Sequence, residues 1–103
     1  MIELDERADG TRVDVQRGHP ISLRLTENPT SGFRWRLDAD GGPALTVVHD
    51  RFEPPARGAS GAPGHHAWRF FAAAVGTAGV RLSYSRHGGA AARTLAFTVE
   101  VRA

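Results

Sequence analysis

Hydrophobic and polar residues alternate with a period of two along most of the chain, and no stretch carries the three-to-four-residue period of an amphipathic helix. Ile21, Leu23 and Leu25 point one way while Ser22 and Arg24 point the other. Phe33, Trp35 and Leu37 alternate in the same manner with Arg34 and Arg36. The pattern predicts further short strands at Ile2 to Glu6, at Thr11 to Gln16 with Val13 and Val15 inward, and at Leu45 to Phe52. Adjacent Val47 and Val48 break the alternation in the last of these and suggest a bulge. The period resumes from His65 to Ala73 through Trp68, Phe70 and Phe71, and again at Val80, Leu82 and Tyr84. A last strand, Ala92 to Val101, puts Leu95, Phe97, Val99 and Val101 on one face. Turn formers separate these runs at Asp9-Gly10, Arg17 to Pro20, Asp38 to Pro43, Gly76 to Gly79 and Arg86 to Gly89. About seven to eight short strands with no helix between them predict an all-β sandwich or barrel. Trp35 then takes the place of the core tryptophan of immunoglobulin-type sandwiches, and Trp68, Phe70 and Tyr84 join it in the core.

Two connections stand out from ordinary turns. Asn28-Pro29-Thr30-Ser31-Gly32-Phe33 joins two strands with a rigid sequence. Pro29 restricts both itself and Asn28, Asn28 can bond the backbone two residues on, and Gly32 is free to take a positive φ. Small polar Thr30 and Ser31 are left at the tip, so the loop reads either as a structural turn or as a preorganised binding loop. The second connection, Glu53 to Gly64, holds three prolines and three glycines and is too broken to be a strand.

Composition narrows the function more by exclusion than by suggestion. The chain has 103 residues, enough for one domain, taken as residues 1–103. No apolar run approaches the roughly 18 residues of a membrane helix, so no membrane partner is expected. The acidic, alternating start from Met1 to Glu6 is unlike a secretory signal, and the chain as written is expected in the cytoplasm, or else is a mature or trimmed form whose export stays open. There is no cysteine, hence no disulfide, thiolate nucleophile or zinc–thiolate site. All 13 basic residues are arginine, which excludes a P-loop lysine and Schiff-base chemistry. Net charge is only +2. Arg12, Arg24, Arg34, Arg36, Arg69 and Arg81 fall at outward strand positions without forming a basic run, so a solvated surface is expected rather than nucleic-acid binding. His65 and His66 are adjacent and point to opposite faces, which disfavours a shared metal, and both read as surface histidines. Ser31 lies outside any nucleophile elbow, and no catalytic constellation or cofactor motif is present.

Three loops, taken in order, resemble those of the chagasin-type inhibitors of papain-like cysteine peptidases. The family's first loop reads N-P-T-T-G-Y, and here Asn28, Pro29, Thr30, Ser31, Gly32 and Phe33 stand in its place. Its second reads G-x-G-G before an aromatic strand; Gly61, Ala62, Pro63 and Gly64 correspond, with Trp68 four residues on. Its third reads R-P-W, of which Arg86 is kept while His87 and Gly88 depart from the pattern. The resemblance covers roughly Pro20 to Val101. It implies an immunoglobulin-like β-sandwich whose loops gather at one end and plug a peptidase cleft reversibly, without catalysis of its own and without a cofactor. The implied partner is a papain-like cysteine peptidase, bound by a monomer. The alternative is a non-inhibitory binding or structural sandwich that has lost the third contact.

Overall fold

The computed structural model describes residues 1–56 and 62–103. Among the described residues, eight strands form two four-stranded sheets: β1 (Ile2–Leu4), β2 (Arg12–Gln16), β3 (Pro20–Glu27), β4 (Phe33–Asp40), β5 (Leu45–Glu53), β6 (Gly64–Ala72), β7 (Gly76–Arg86) and β8 (Arg93–Arg102). One sheet has the order β1-β3-β6-β5 and the other β2-β8-β7-β4. The outer pairs β1–β3 and β2–β8 are parallel, and the remaining pairs are antiparallel. The expected β-sandwich is therefore the observed fold.

The alternation read from the sequence packs the interior. Ile21, Leu23 and Leu25 of β3 pair across the ladder with Phe70, Trp68 and His66 of β6. From the opposite sheet come Trp35, Val80, Leu82, Leu95, Phe97, Val99 and Val101, all buried. A side chain of this size, fully buried, contributes about 1.5–3 kcal/mol, so these few inward positions hold the sheets together. The arginines named above are exposed, as expected. The bulge falls where the double valine suggests it: the β5–β6 register shifts between Val47 and His49, and Val48 is turned out to solvent.

Three boundaries differ from expectation, two of them because tertiary pairing outweighs local propensity. The first strand stops at Leu4, and Glu6–Ala8 form a 3-10 turn capped by the Asp5 carboxylate on the Arg7 amide. Glu6 reaches back to accept the Thr26 amide at 2.7 Å, so a side chain covers the β3 edge where β1 has ended. Strand β4 runs on to Asp40 through a second register shift between Leu37 and Ala39, a stretch that its aspartates mark as turn. Gly76 to Gly79 is strand, not turn. Gly76 and Ala78 pair with Val101 and Val99 of β8, and Ala78 is buried in the core. The reversal before β7 is made instead by residues 73–75.

Candidate functional site

Strand register places the roots of the three loops at one end of the sandwich. Glu27, the residue before the first loop, pairs with Gly64, the last residue of the second. Phe33, which closes the first loop, pairs with Arg86, which opens the third. The first loop also connects the two sheets, since β3 and β4 belong to different ones.

The first loop is braced from within. Residues Pro29–Ser31 form a single 3-10 turn. Asn28 Oδ1 accepts from the Thr30 amide at 3.2 Å and from the Thr30 hydroxyl at 2.7 Å. The Ser31 hydroxyl donates to the Asn28 carbonyl at 2.7 Å and accepts from the Phe33 amide at 3.2 Å. The expected two-residue bond of Asn28 is present, and the two tip hydroxyls turn inward to stiffen the loop. Gly32 has a φ of 79°, as its place in the sequence suggests.

The third loop leans on the first. Phe33 stacks on Tyr84 with ring centroids 5.3 Å apart, and Tyr84 lies 4.8 Å from Trp35. The Arg86 guanidinium covers Phe33 at 5.1 Å, and that of Arg93 lies 5.8 Å from the Trp35 ring. The turn is closed by the Gly89 amide donating to the Arg86 carbonyl at 2.9 Å. Its central residues, His87 and Gly88, have φ values of 53° and 72°. Proline, locked near −65°, cannot occupy position 87 in this turn, so the departure from the family's third-loop sequence is also a departure in backbone shape. Between the first and third loops lies an open cleft of about 470 Å³ lined by Gly32, Arg34, Arg36, Ser85, His87 and Gly88, with no carboxylate among its lining.

Of the second loop, Gly61 lies outside the described residues, while Ala62 and Pro63 are exposed and Gly64 is buried. Gly64 is required by contact rather than conformation. A Cβ there would collide with Phe52 Cζ and sit 2.6 Å from the Glu53 carbonyl oxygen.

Glu27 escapes a motif search, yet it joins these pieces. It is fully buried at the fourth inward position of β3, after Ile21, Leu23 and Leu25. Its Oε1 accepts the Trp35 amide at 2.6 Å, and Trp35 Nε1 donates back to the Thr26 carbonyl at 2.9 Å. Its Oε2 lies 3.3 Å from Nδ1 of His66, whose Nε2 lies 2.5 Å from Asp50 Oδ1. The His66 ring also stacks on Trp68 at 4.2 Å. The expectation of two surface histidines is thus wrong for His66, which is part-buried and bridges two carboxylates. Its position next to His65 in sequence gave no sign of this.

The family profile described as chagasin family peptidase inhibitor I42 matches residues 14–101. The chain belongs to this family. Chagasin of Trypanosoma cruzi is 28% identical over 82 residues, spanning 76% of this chain and 74% of that protein. Among solved structures, the cysteine protease inhibitor EhICP2 of Entamoeba histolytica superposes with a TM-score of 0.82 at 25% identity, over 98% of this chain and 95% of that one. Amebosin, solved in solution, gives 0.78 at 26% identity over 98% and 97%. As a member of the chagasin family, the chain carries its braced first loop on a sandwich shared along nearly the full length of both structures.

Proposed function

We propose that the chain is a reversible inhibitor of papain-like cysteine peptidases that fills the active-site cleft with the loops Asn28 to Phe33, Gly61 to Gly64 and Arg86 to Gly88. The observation that carries this reading is the shared end: Glu27 pairs with Gly64 and Phe33 with Arg86, so one face presents all three loop roots together. Family membership supplies the class of target.

The geometry accounts for inhibition without turnover. A peptidase cleaves backbone that can be drawn out straight. The first loop is instead a 3-10 turn held by bonds from Thr30, Ser31 and Phe33, all of which extension would break. The wedge therefore binds as a substrate surrogate and resists cleavage. The Ser31 hydroxyl donates to the Asn28 carbonyl and so braces the loop, which acts as a plug. Because the loop is ordered before binding, association sacrifices little conformational entropy, which lets an interface of about 1,600 Å² reach high affinity.

The test is a titration of papain with a fluorogenic peptide substrate. Competitive, dilution-reversible inhibition is expected, with the inhibitor recovered at full mass after prolonged incubation and with serine and metallopeptidases unaffected. No inhibition across a panel of cysteine peptidases at micromolar inhibitor would replace this reading with a non-inhibitory sandwich.

A further inference from the structure

We propose that Glu27 is a positioning residue that holds the first inhibitory loop in its binding shape and fixes it relative to the second; the inference rests on the inhibitory reading above. The inward series of β3 runs Ile21, Leu23, Leu25 and then Glu27, and all four are fully buried. A hydrophobic residue would continue the series without difficulty, whereas a buried carboxylate carries a desolvation penalty that only well-made bonds offset. The core does not call for a carboxylate here, but the loops do.

Its two oxygens serve different elements. Oε1 takes the Trp35 amide from β4, on the opposite sheet, and Trp35 Nε1 returns a bond to the Thr26 carbonyl. These two bonds run in opposite directions and pinch residues 26–27 against residue 35, closing the base of the first loop. Oε2 reaches His66 on β6, and His66 reaches Asp50 on β5. Strands β5 and β6 are the two that flank the second loop. A single hydrogen-bonded chain, from the Trp35 amide through Glu27 and His66 to Asp50, therefore runs from the root of one loop to the two strands that flank the other. None of these groups needs to touch the peptidase. They act through the shape of the loops that do.

Three variants test this: Glu27→Leu, which keeps the bulk and removes both bonds; Glu27→Gln, which keeps an acceptor for the Trp35 amide; and His66→Phe, which keeps the stack on Trp68 and cuts the bridge. Each is assayed for inhibition of papain, thermal stability and amide hydrogen exchange of the free protein. With a thermal midpoint near that of the wild type, Glu27→Leu is expected to weaken inhibition by about tenfold or more, the scale of reordering one or two groups at an interface. Glu27→Gln should recover most of that loss, and His66→Phe should fall between. In the free Glu27→Leu protein, exchange at Ser31 and Trp35 should quicken at least about tenfold while core amides such as Leu82 and Val99 hold their rates. Unchanged exchange at those amides, or affinity losses that simply follow lost stability, would overturn the proposal. If Glu27→Leu does not fold, the same comparison is made with His66→Phe, where unchanged loop exchange and unchanged inhibition overturn it. Wild-type protein that fails to inhibit papain would sink the inhibitory reading alone, and the exchange data on the free protein would still decide the role of Glu27.

Discussion

Gly32→Val strikes the first loop where conformation and contact both demand glycine. The residue has a φ of 79°, and a Cβ built on it would lie 3.1 Å from Arg86 Cδ and 3.4 Å from Arg86 Cγ. Holding a β-branched residue in the left-handed region costs about 1–3 kcal/mol. The contact itself is with a flexible side chain, so Arg86 can swing away, but it then leaves the face of Phe33, which it covers at 5.1 Å. An exposed cation–π contact of that kind is worth about 0.5–1 kcal/mol. Together these predict a loss of about 1.5–4 kcal/mol, and for a domain of this size each kcal/mol lowers the melting temperature by roughly 4–8 °C. A drop of roughly 6–30 °C is expected by calorimetry, together with inhibition of papain weakened more than about tenfold, since the tip can no longer hold its turn. Gly32→Ala serves as the graded control: it takes a smaller left-handed penalty, partly offset by reduced freedom of the unfolded chain. If Gly32→Val melts within roughly 2 °C of the wild type and inhibits equally well, the loop neither needs its left-handed residue nor acts as the wedge.

Other consequences follow from the same geometry. His87 sits in the left-handed region, where asparagine followed by glycine is favoured, so His87→Asn should stabilise the free protein by up to about 1 kcal/mol, read as a higher melting temperature. His87→Pro with Gly88→Trp, which restores the family's third-loop sequence, should instead destabilise the turn, because the φ of 53° at position 87 excludes proline; denaturant titration reads the loss. Gly64→Ala drives a methyl into the Phe52 ring and the Glu53 carbonyl, and overpacking of this kind costs about 1–3 kcal/mol in chemical denaturation. Burial pushes the Glu6 carboxyl up, but the amide bonds it accepts, above all from Thr26, outweigh this and hold it below its ordinary range. A carboxyl depressed in the folded state stabilises above its unfolded pKa and loses that contribution as pH falls through the folded one. Stability measured against pH should therefore show a shallower acid limb in Glu6→Gln than in the wild type.

Most of the fold was legible because one face of each strand is buried, which fixes a period of two that turn-forming residues punctuate. Even the bulge at Val47-Val48 could be read, since two adjacent valines cannot both face inward. Gly76 to Gly79 could not. Its glycines, threonine and alanine carry turn propensity, and only the pairing of Gly76 and Ala78 with Val101 and Val99 makes them strand. The first loop was legible down to the Asn28 bond and the positive φ of Gly32, because both are local. That Thr30 and Ser31 turn their hydroxyls inward follows from the 3-10 turn, which no residue type announces. Glu27 carries one local signal, its place at the fourth inward position of an otherwise aliphatic series. Its partners lie 8 and 39 residues further along the chain, beyond any local pattern.

The claim that these loops occupy a catalytic cleft is tested most directly by competition for that cleft. Binding is measured calorimetrically to free papain and to papain whose cleft is filled by a peptidyl inhibitor attached to the catalytic cysteine. Tight binding to the free enzyme and none to the blocked one is the predicted result. Equal affinity for both would place the contact elsewhere on the peptidase and contradict the account.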